Sequence, residues 1–237
     1  ATRIAILSAY SLCYSTLRSE ALFSRLSAWG IERVAITDLD SLSGYPLLRS
    51  LAHERDITLI AGAALTVGDE RIYALAEDEA GWQQLCALLS AHNLNPDASY
   101  LSALQEGENA LTLATASPAL LAALKETTAR LFAAITPTDL RAIITARELD
   151  LKLLACDDAY LFSRDDRPVH HLLRAIGSNR TIQGDQDAGR GGILLDPEAW
   201  KNAFSSWPEA MANTETIASY DPFSHPLIFP DYRTDDP

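Results

Sequence analysis

The chain is 237 residues long, 48% apolar and 22% charged, with a mean hydropathy near zero, which excludes a disordered polypeptide. No apolar run approaches the ~18–20 residues of a membrane helix, so neither a bilayer span nor a membrane partner is expected. Acids outnumber bases 32 to 19, for a net charge of −13, and so negative a surface repels phosphate backbones and argues against direct nucleic-acid binding.

Cys13, Cys86 and Cys156 are odd in number, widely spaced and without a CxxC. They support neither a disulfide framework nor a zinc knuckle, and read as buried free thiols of a cytoplasmic protein. Ala1 leads straight into an apolar stretch with no leader pattern.

Seven strands are expected in chain order, at Arg3–Leu7, Arg33–Thr37, Ile57–Ala61, Arg71–Ala76, Leu111–Ala114, Ala129–Ile135 and Leu151–Ala155. Helices fall between them. Ser19 is expected to cap one carrying Leu22, Leu26 and Trp29, stopped by Gly30. Others start at about Pro46, with Leu47, Leu48 and Leu51 on one face, and at Pro118, and one runs through Trp82, Leu85, Leu88 and Leu89. Thr136-Pro137-Thr138-Asp139 reads as a strong helix start, with Leu140, Ile143, Ile144 and Leu149 as its apolar face. Further helices begin near Asp166, at Asp196-Pro197 and at Pro208. The last 16 residues, from Pro222, hold four prolines and no periodicity, and read as an extended segment. The alternation predicts α/β architecture with a mainly parallel sheet, as a closed or nearly closed barrel, with a doubly wound open sheet as the alternative. In a barrel, chemistry sits on loops at the C-terminal strand ends.

Acids stand in two of those loops: Asp38 and Asp40, and Asp157 and Asp158. Such acids can hold one hard cation such as Mg²⁺, or cap helices and order loops. His53, His92, His170, His171 and His225 all lie away from the expected strand ends, so no imidazole-rich metal site assembles there. The neighbours His170 and His171 point to different sides of a helix, one packed and one solvated. Gly184–Gly192 is glycine-rich but lacks the phosphate-loop pattern and reads as a surface loop. Ser8, Ser11 and Ser15 have no nucleophile elbow, and acids beside Cys156 raise its pKa, against a nucleophile.

Taken together, these loops resemble the PHP (polymerase and histidinol phosphatase) domain that opens bacterial DNA polymerase III alpha subunits. Leu7-Ser8-Ala9-Tyr10-Ser11-Leu12 falls on the family's HSHYSL text, with both histidines replaced, by Leu7 and Ala9, and a later acid replaced by Tyr14. Thr37-Asp38-Leu39-Asp40-Ser41-Leu42-Ser43-Gly44 resembles TDHDxLxG, with Leu39 for histidine. Gly62-Ala63-Ala64 resembles G(C/A)E, with Ala64 for glutamate. Cys156-Asp157-Asp158-Ala159-Tyr160-Leu161 resembles NDVHYL, with Asp157 kept and Ala159 for histidine. Similar text continues through Val169–Ile176 and Pro208–Ile217.

The resemblance implies a distorted seven-stranded (β/α)7 TIM-like barrel. It implies a barrel domain over 1–221 with closing C-terminal helices, and a linker over 222–237 toward a polymerase body. Active members are expected to hold a metal cluster at the positions of Leu7, Ala9, Tyr14, Asp38, Leu39, Asp40, Ala64, Asp157 and Ala159. Six of these have lost their ligand chemistry, so the resemblance implies a pocket with no metal cofactor and no catalytic residue. The expected role is structural, within a DNA polymerase III alpha-like chain, a DNA-directed DNA polymerase. Its partners would be the remainder of that chain and a proofreading exonuclease subunit. The alternatives are a phosphoesterase or nuclease using one Mg²⁺ at Asp38, Asp40 and Asp157, or a stand-alone binding pseudo-enzyme.

Overall fold

The computed structural model describes residues 1–95, 97–106, 109–128, 130–181 and 192–224. Its strands are β1 (Thr2–Ile6), β2 (Arg33–Ile36), β3 (Asp38–Leu39), β4 (Thr58–Val67), β5 (Glu70–Ala76), β6 (Thr112–Thr115), β7 (Leu131–Ile135) and β8 (Lys152–Ala155). They form one sheet in the order β1-β2-β4-β5-β6-β7-β8, with the two-residue β3 paired to β4. All seven expected strands are present, within a residue or two at most ends.

Two departures from a parallel barrel matter. First, β5 is antiparallel to both β4 and β6. The β4–β5 hairpin turns on Gly68-Asp69, with Val67 opposite Glu70 and Gly68 at φ 61°. A Gly-Asp turn between two apolar runs is a hairpin signal, and it extends β4 well past Ala61. Second, no β8–β1 ladder closes the sheet. The segment after β8 does so instead: Asp157 N donates to Ile4 O (2.8 Å), Ala159 N to Ala5 O (3.1 Å) and Leu7 N to Ala159 O (2.8 Å).

The helices are α1 (Ser19–Ala28), α2 (Tyr45–His53), α3 (Glu79–Leu94), α4 (Tyr100–Gln105), α5 (Pro118–Leu124), α6 (Ala142–Glu148), α7 (Arg167–Gly177), α8 (Pro197–Ala203) and α9 (Pro208–Glu215). Ser19 lies inside α1 and is buried; Arg18 is the cap residue and no side chain caps it. Gly30 follows α1 at φ 66°, the left-handed turn that ends it. Thr136 organises a turn rather than a helix, its Oγ1 accepting from Asp139 N at 3.0 Å. Helix α6 therefore starts later and buries the small Ala142 and Ala146, leaving Leu140 and Ile144 exposed. Leu47 is likewise exposed, while Leu48 and Leu51 are buried. Asp196 caps α8 through Ala199 N at 2.9 Å.

Two apolar layers result. Between sheet and helices lie Leu22, Phe23, Leu26, Leu85, Leu121 and their neighbours. Inside the barrel lie Ile4, Ala35, Ile60, Ala64, Tyr73, Leu75, Ala114, Ala134, Leu154 and Cys156. Alanines hold this interior to the width of a few larger side chains. The thiols differ from expectation: Cys156 is buried, Cys86 half-buried and Cys13 exposed. Residues 184–191 of the glycine-rich loop, His225 and the remainder of the tail lie outside the described residues.

Candidate functional site at the barrel mouth

The loops after β1, β2 and β8 meet at the end of the barrel where the parallel strands finish. Because β5 is antiparallel, its first residues reach this same end: Arg71 lies opposite Thr66, and its carbonyl accepts from Thr115 Oγ1 at the end of β6 (2.7 Å). Arg71, Tyr73 and Leu75 alternate along β5, and Tyr73 and Leu75 belong to the barrel interior.

Arg71 is the centre of a cluster. Its Nη1 donates to Asp158 Oδ1 at 2.5 Å, and its Nη2 donates to the Tyr14 hydroxyl. Its Cζ sits 4.8 Å from the centroid of the Tyr14 ring, within cation–π range. Tyr73 OH donates to the same Asp158 oxygen at 2.8 Å. Burial opposes the guanidinium charge, but Asp158, Tyr73 and Tyr14 outweigh it, and the Arg71 pKa is raised. The Tyr73 hydroxyl is driven well up, by burial first and then by Asp158.

Tyr14 is also a packing hub. Its ring meets Tyr160 and His170 edge-on, each at 4.9 Å, and its carbonyl lies 2.6 Å from His170 Nδ1. His170 is buried, as expected of the packed member of the pair, while His171 is half-buried rather than solvated. Although among the described residues no histidine stands at a strand end, α7 brings His170 against the mouth. Leu7, Tyr160 and Leu161 form a small buried cluster, and Tyr14, Leu39 and Ile193 pack on it.

The nine positions singled out by sequence divide in two. Leu7, Tyr14 and Leu39 converge, and Leu39 also touches the interior cluster that contains Ala64, which faces Tyr73 across the β4–β5 ladder. Ala159 is fully buried at the closing seam, and Ala9 is half-buried with its N–H on Leu17 O. The three aspartates turn to separate partners.

Asp38 is buried and accepts from Ser8 N (2.6 Å), Ser8 Oγ (2.8 Å) and Ser11 Oγ (2.7 Å). Burial raises its pKa despite these bonds. Asp40, at φ 47°, accepts from Thr66 N at 2.8 Å. Asp157 is paired with Arg3, whose Nε lies 3.0 Å from both carboxylate oxygens, and the two side chains are 1% and 2% exposed. Arg3 Nη2 also donates to Asp157 and to Leu195 O.

The donor set does not fit a metal cluster. Among the described residues, no three His, Cys, Asp or Glu side chains are grouped as a metal ion requires. Asp38 accepts from serine hydroxyls and a backbone amide, Asp157 from Arg3, and Asp40 Oδ1 from the Thr66 amide. The thiol of Cys156 is pushed well up, by burial first and then by Asp157 and Asp158, which disarms it as a nucleophile.

Sequence reasoning missed Arg71 and Arg3. Each is a charged residue within a short apolar strand, which is itself a signal that the charge is paired inside.

The family model described as PHP domain matches residues 6–173 of the chain. The chain belongs to the PHP domain family. Among its relatives are an error-prone DNA polymerase of Sinorhizobium medicae (strain WSM419), 28% identical over 221 residues, and error-prone DNA polymerase 1 of Rhizobium meliloti (strain 1021), 29% identical over 243 residues. These alignments cover 81% and 87% of this chain but 20% and 21% of the polymerases, so this PHP domain spans about a fifth of their length. A solved structure from Bifidobacterium adolescentis, described as that of a candidate metal-dependent phosphoesterase, superimposes with a TM-score of 0.50 at 12% identity. That match covers 86% of this chain and 95% of the other, and shows the fold. Among the described residues no helix is long and apolar enough to cross a membrane.

Proposed function

We propose that this PHP domain is catalytically silent and metal-free, and serves as a structural and protein-docking part of a DNA polymerase III alpha-like, error-prone polymerase chain. One observation carries the reading: an arginine–carboxylate pair, Arg71 with Asp158, occupies the barrel mouth among the positions where the family resemblance sets metal ligands. A guanidinium locked to a carboxylate cannot orient a hydroxide for attack on a phosphoester. Leu7, Leu39, Ala64 and Ala159 add packing where ligands would be needed. The partners under this reading are the remainder of the polymerase chain and a proofreading exonuclease subunit. The net charge of −13 keeps the domain off the DNA path.

Elemental analysis of the purified chain, joined to hydrolysis assays with Mg²⁺, Mn²⁺ and Zn²⁺, tests it. Substrates are p-nitrophenyl phosphate and a DNA 3′ end. The expected result is no stoichiometric metal and no turnover at high protein concentration. Two or more tightly held metal ions per chain, with metal-dependent hydrolysis, overturns the reading.

A further inference from the structure

Asp158 is the acid that this mouth must neutralise. It sits at φ 46° in the segment that closes the barrel on β1, with its side chain 30% exposed. One of its oxygens takes both the Arg71 Nη1 and the Tyr73 hydroxyl. The Arg71 side chain is 19% exposed and is held on two further sides, by the Tyr14 hydroxyl and by the face of the Tyr14 ring. A carboxylate, a phenol oxygen and an aromatic face are together the acceptor set of a planar organic cation. They are a poor set for Mg²⁺, which demands near-octahedral oxygen ligands.

We infer that the Arg71 guanidinium is the resident cation of the barrel mouth, and that Asp158, Tyr14 and Tyr73 form a guanidinium-binding site that the chain fills with its own side chain. The inference rests on the metal-free reading above and deepens it. The mouth is neutralised by a cation covalently supplied through β5 and independent of metal supply. Only the antiparallel direction of β5 allows this, because a parallel strand would carry its first residues to the opposite end of the barrel. Removing the Arg71 side chain at Cα–Cβ length leaves a vacancy shaped for a small guanidinium ion.

The test is chemical rescue of Arg71→Ala in the full chain. Thermal midpoints are measured with and without about 20 mM methylguanidinium chloride, with methylammonium and sodium chloride as ionic controls. Arg71→Ala should melt well below the wild type and recover at least half of that shift with methylguanidinium, but not with the controls. Arg71→Ala/Asp158→Asn should melt above Arg71→Ala without any addition, and should not respond to methylguanidinium. Should Arg71→Ala fail to fold alone, folding in methylguanidinium but not in methylammonium, followed by near-UV circular dichroism, gives the same readout. Arg71→Lys should lie between wild type and Arg71→Ala.

No specific rescue, with Arg71→Ala no worse than the double variant, overturns the resident-cation inference and leaves the metal-free reading standing. A rise of the wild-type midpoint with Mn²⁺, reversed by chelation, overturns the metal-free reading and this inference with it.

Discussion

Arg3 and Asp157 offer the sharpest test of whether the retained acid of the last strand motif is structural. The pair ties β1 to the segment that closes the barrel, and both side chains are almost wholly out of water. Replacing Arg3 by Met keeps much of the volume but strands a buried carboxylate. Breaking a buried pair from one side costs about 3–5 kcal/mol, because the remaining charge loses its compensation. For a domain of this size a kcal/mol lowers the melting midpoint by about 2–4 °C, so Arg3→Met should lose about 6–20 °C. Such a loss is a large part of the ~5–15 kcal/mol that holds a typical domain.

Asp157→Asn should cost less than Arg3→Met, since an amide oxygen still accepts from the guanidinium. The double variant Arg3→Met/Asp157→Leu should recover most of the loss, because two apolar groups leave no buried charge. Urea titrations of wild type, Arg3→Met, Asp157→Leu and the double variant, read as a double-mutant cycle, give the coupling. A coupling below about 0.5 kcal/mol would refute the reasoning, since it would mean that neither group relies on the other. Addition of Mg²⁺ should leave all four midpoints unchanged; selective loss of a Mg²⁺ response in Asp157→Asn would restore Asp157 as a metal ligand.

Three more outcomes follow from the same geometry. Asp38→Ala removes the acceptor of Ser8 N, Ser8 Oγ and Ser11 Oγ, and should cost about 1–3 kcal/mol in urea unfolding. Burial raises the Asp38 pKa above its ordinary 3.8, so its stabilising share is present below that value and is lost as pH rises through the raised value. Asp38→Asn should therefore flatten the pH dependence in that interval, and an unchanged slope would count against the buried charge.

Asp221 has the opposite sign. Its hydrogen bonds from Arg49 at 2.7 and 2.6 Å lower its pKa, so its share is present above 3.8 and is lost as pH falls through the lowered value. Asp221→Asn should remove that acid-side loss, measured by the midpoint difference from wild type. Gly192 has φ 85°, its carbonyl accepts from Tyr160 N and Leu161 N, and an added Cβ would run into the Tyr160 ring. Gly192→Ala should cost more than about 1 kcal/mol, and a neutral result in thermal melting would show that the seam is free to shift.

Much of the fold is legible along the chain. Short apolar runs between helical stretches mark all seven principal strands, because a strand buried on both faces has little freedom to carry polar residues. Weaker signals failed where tertiary packing overrode them. The Thr136 turn looked like a helix start because the same hydroxyl chemistry serves both, and α6 then packed on its alanines instead of its larger residues. The site was half legible. Leu7, Tyr14, Leu39 and Ala64 stand around the mouth, while Asp38, Asp40 and Asp157 turn to separate partners.

What the sequence by itself determined was the kind of fold and which side chains stand at the barrel mouth, since residue identity decides whether an imidazole or carboxylate exists at all. What only the tertiary structure decided was the use of the remaining charges. Arg71 is an unremarked residue at the start of a strand until the Gly68-Asp69 hairpin reverses that strand and delivers it to the mouth beside Asp158. Arg3 and Asp157 are 154 positions apart until the barrel closes. Charge pairing is a matter of distance in space and of the dielectric around it, and neither is written in the order of residues along the chain.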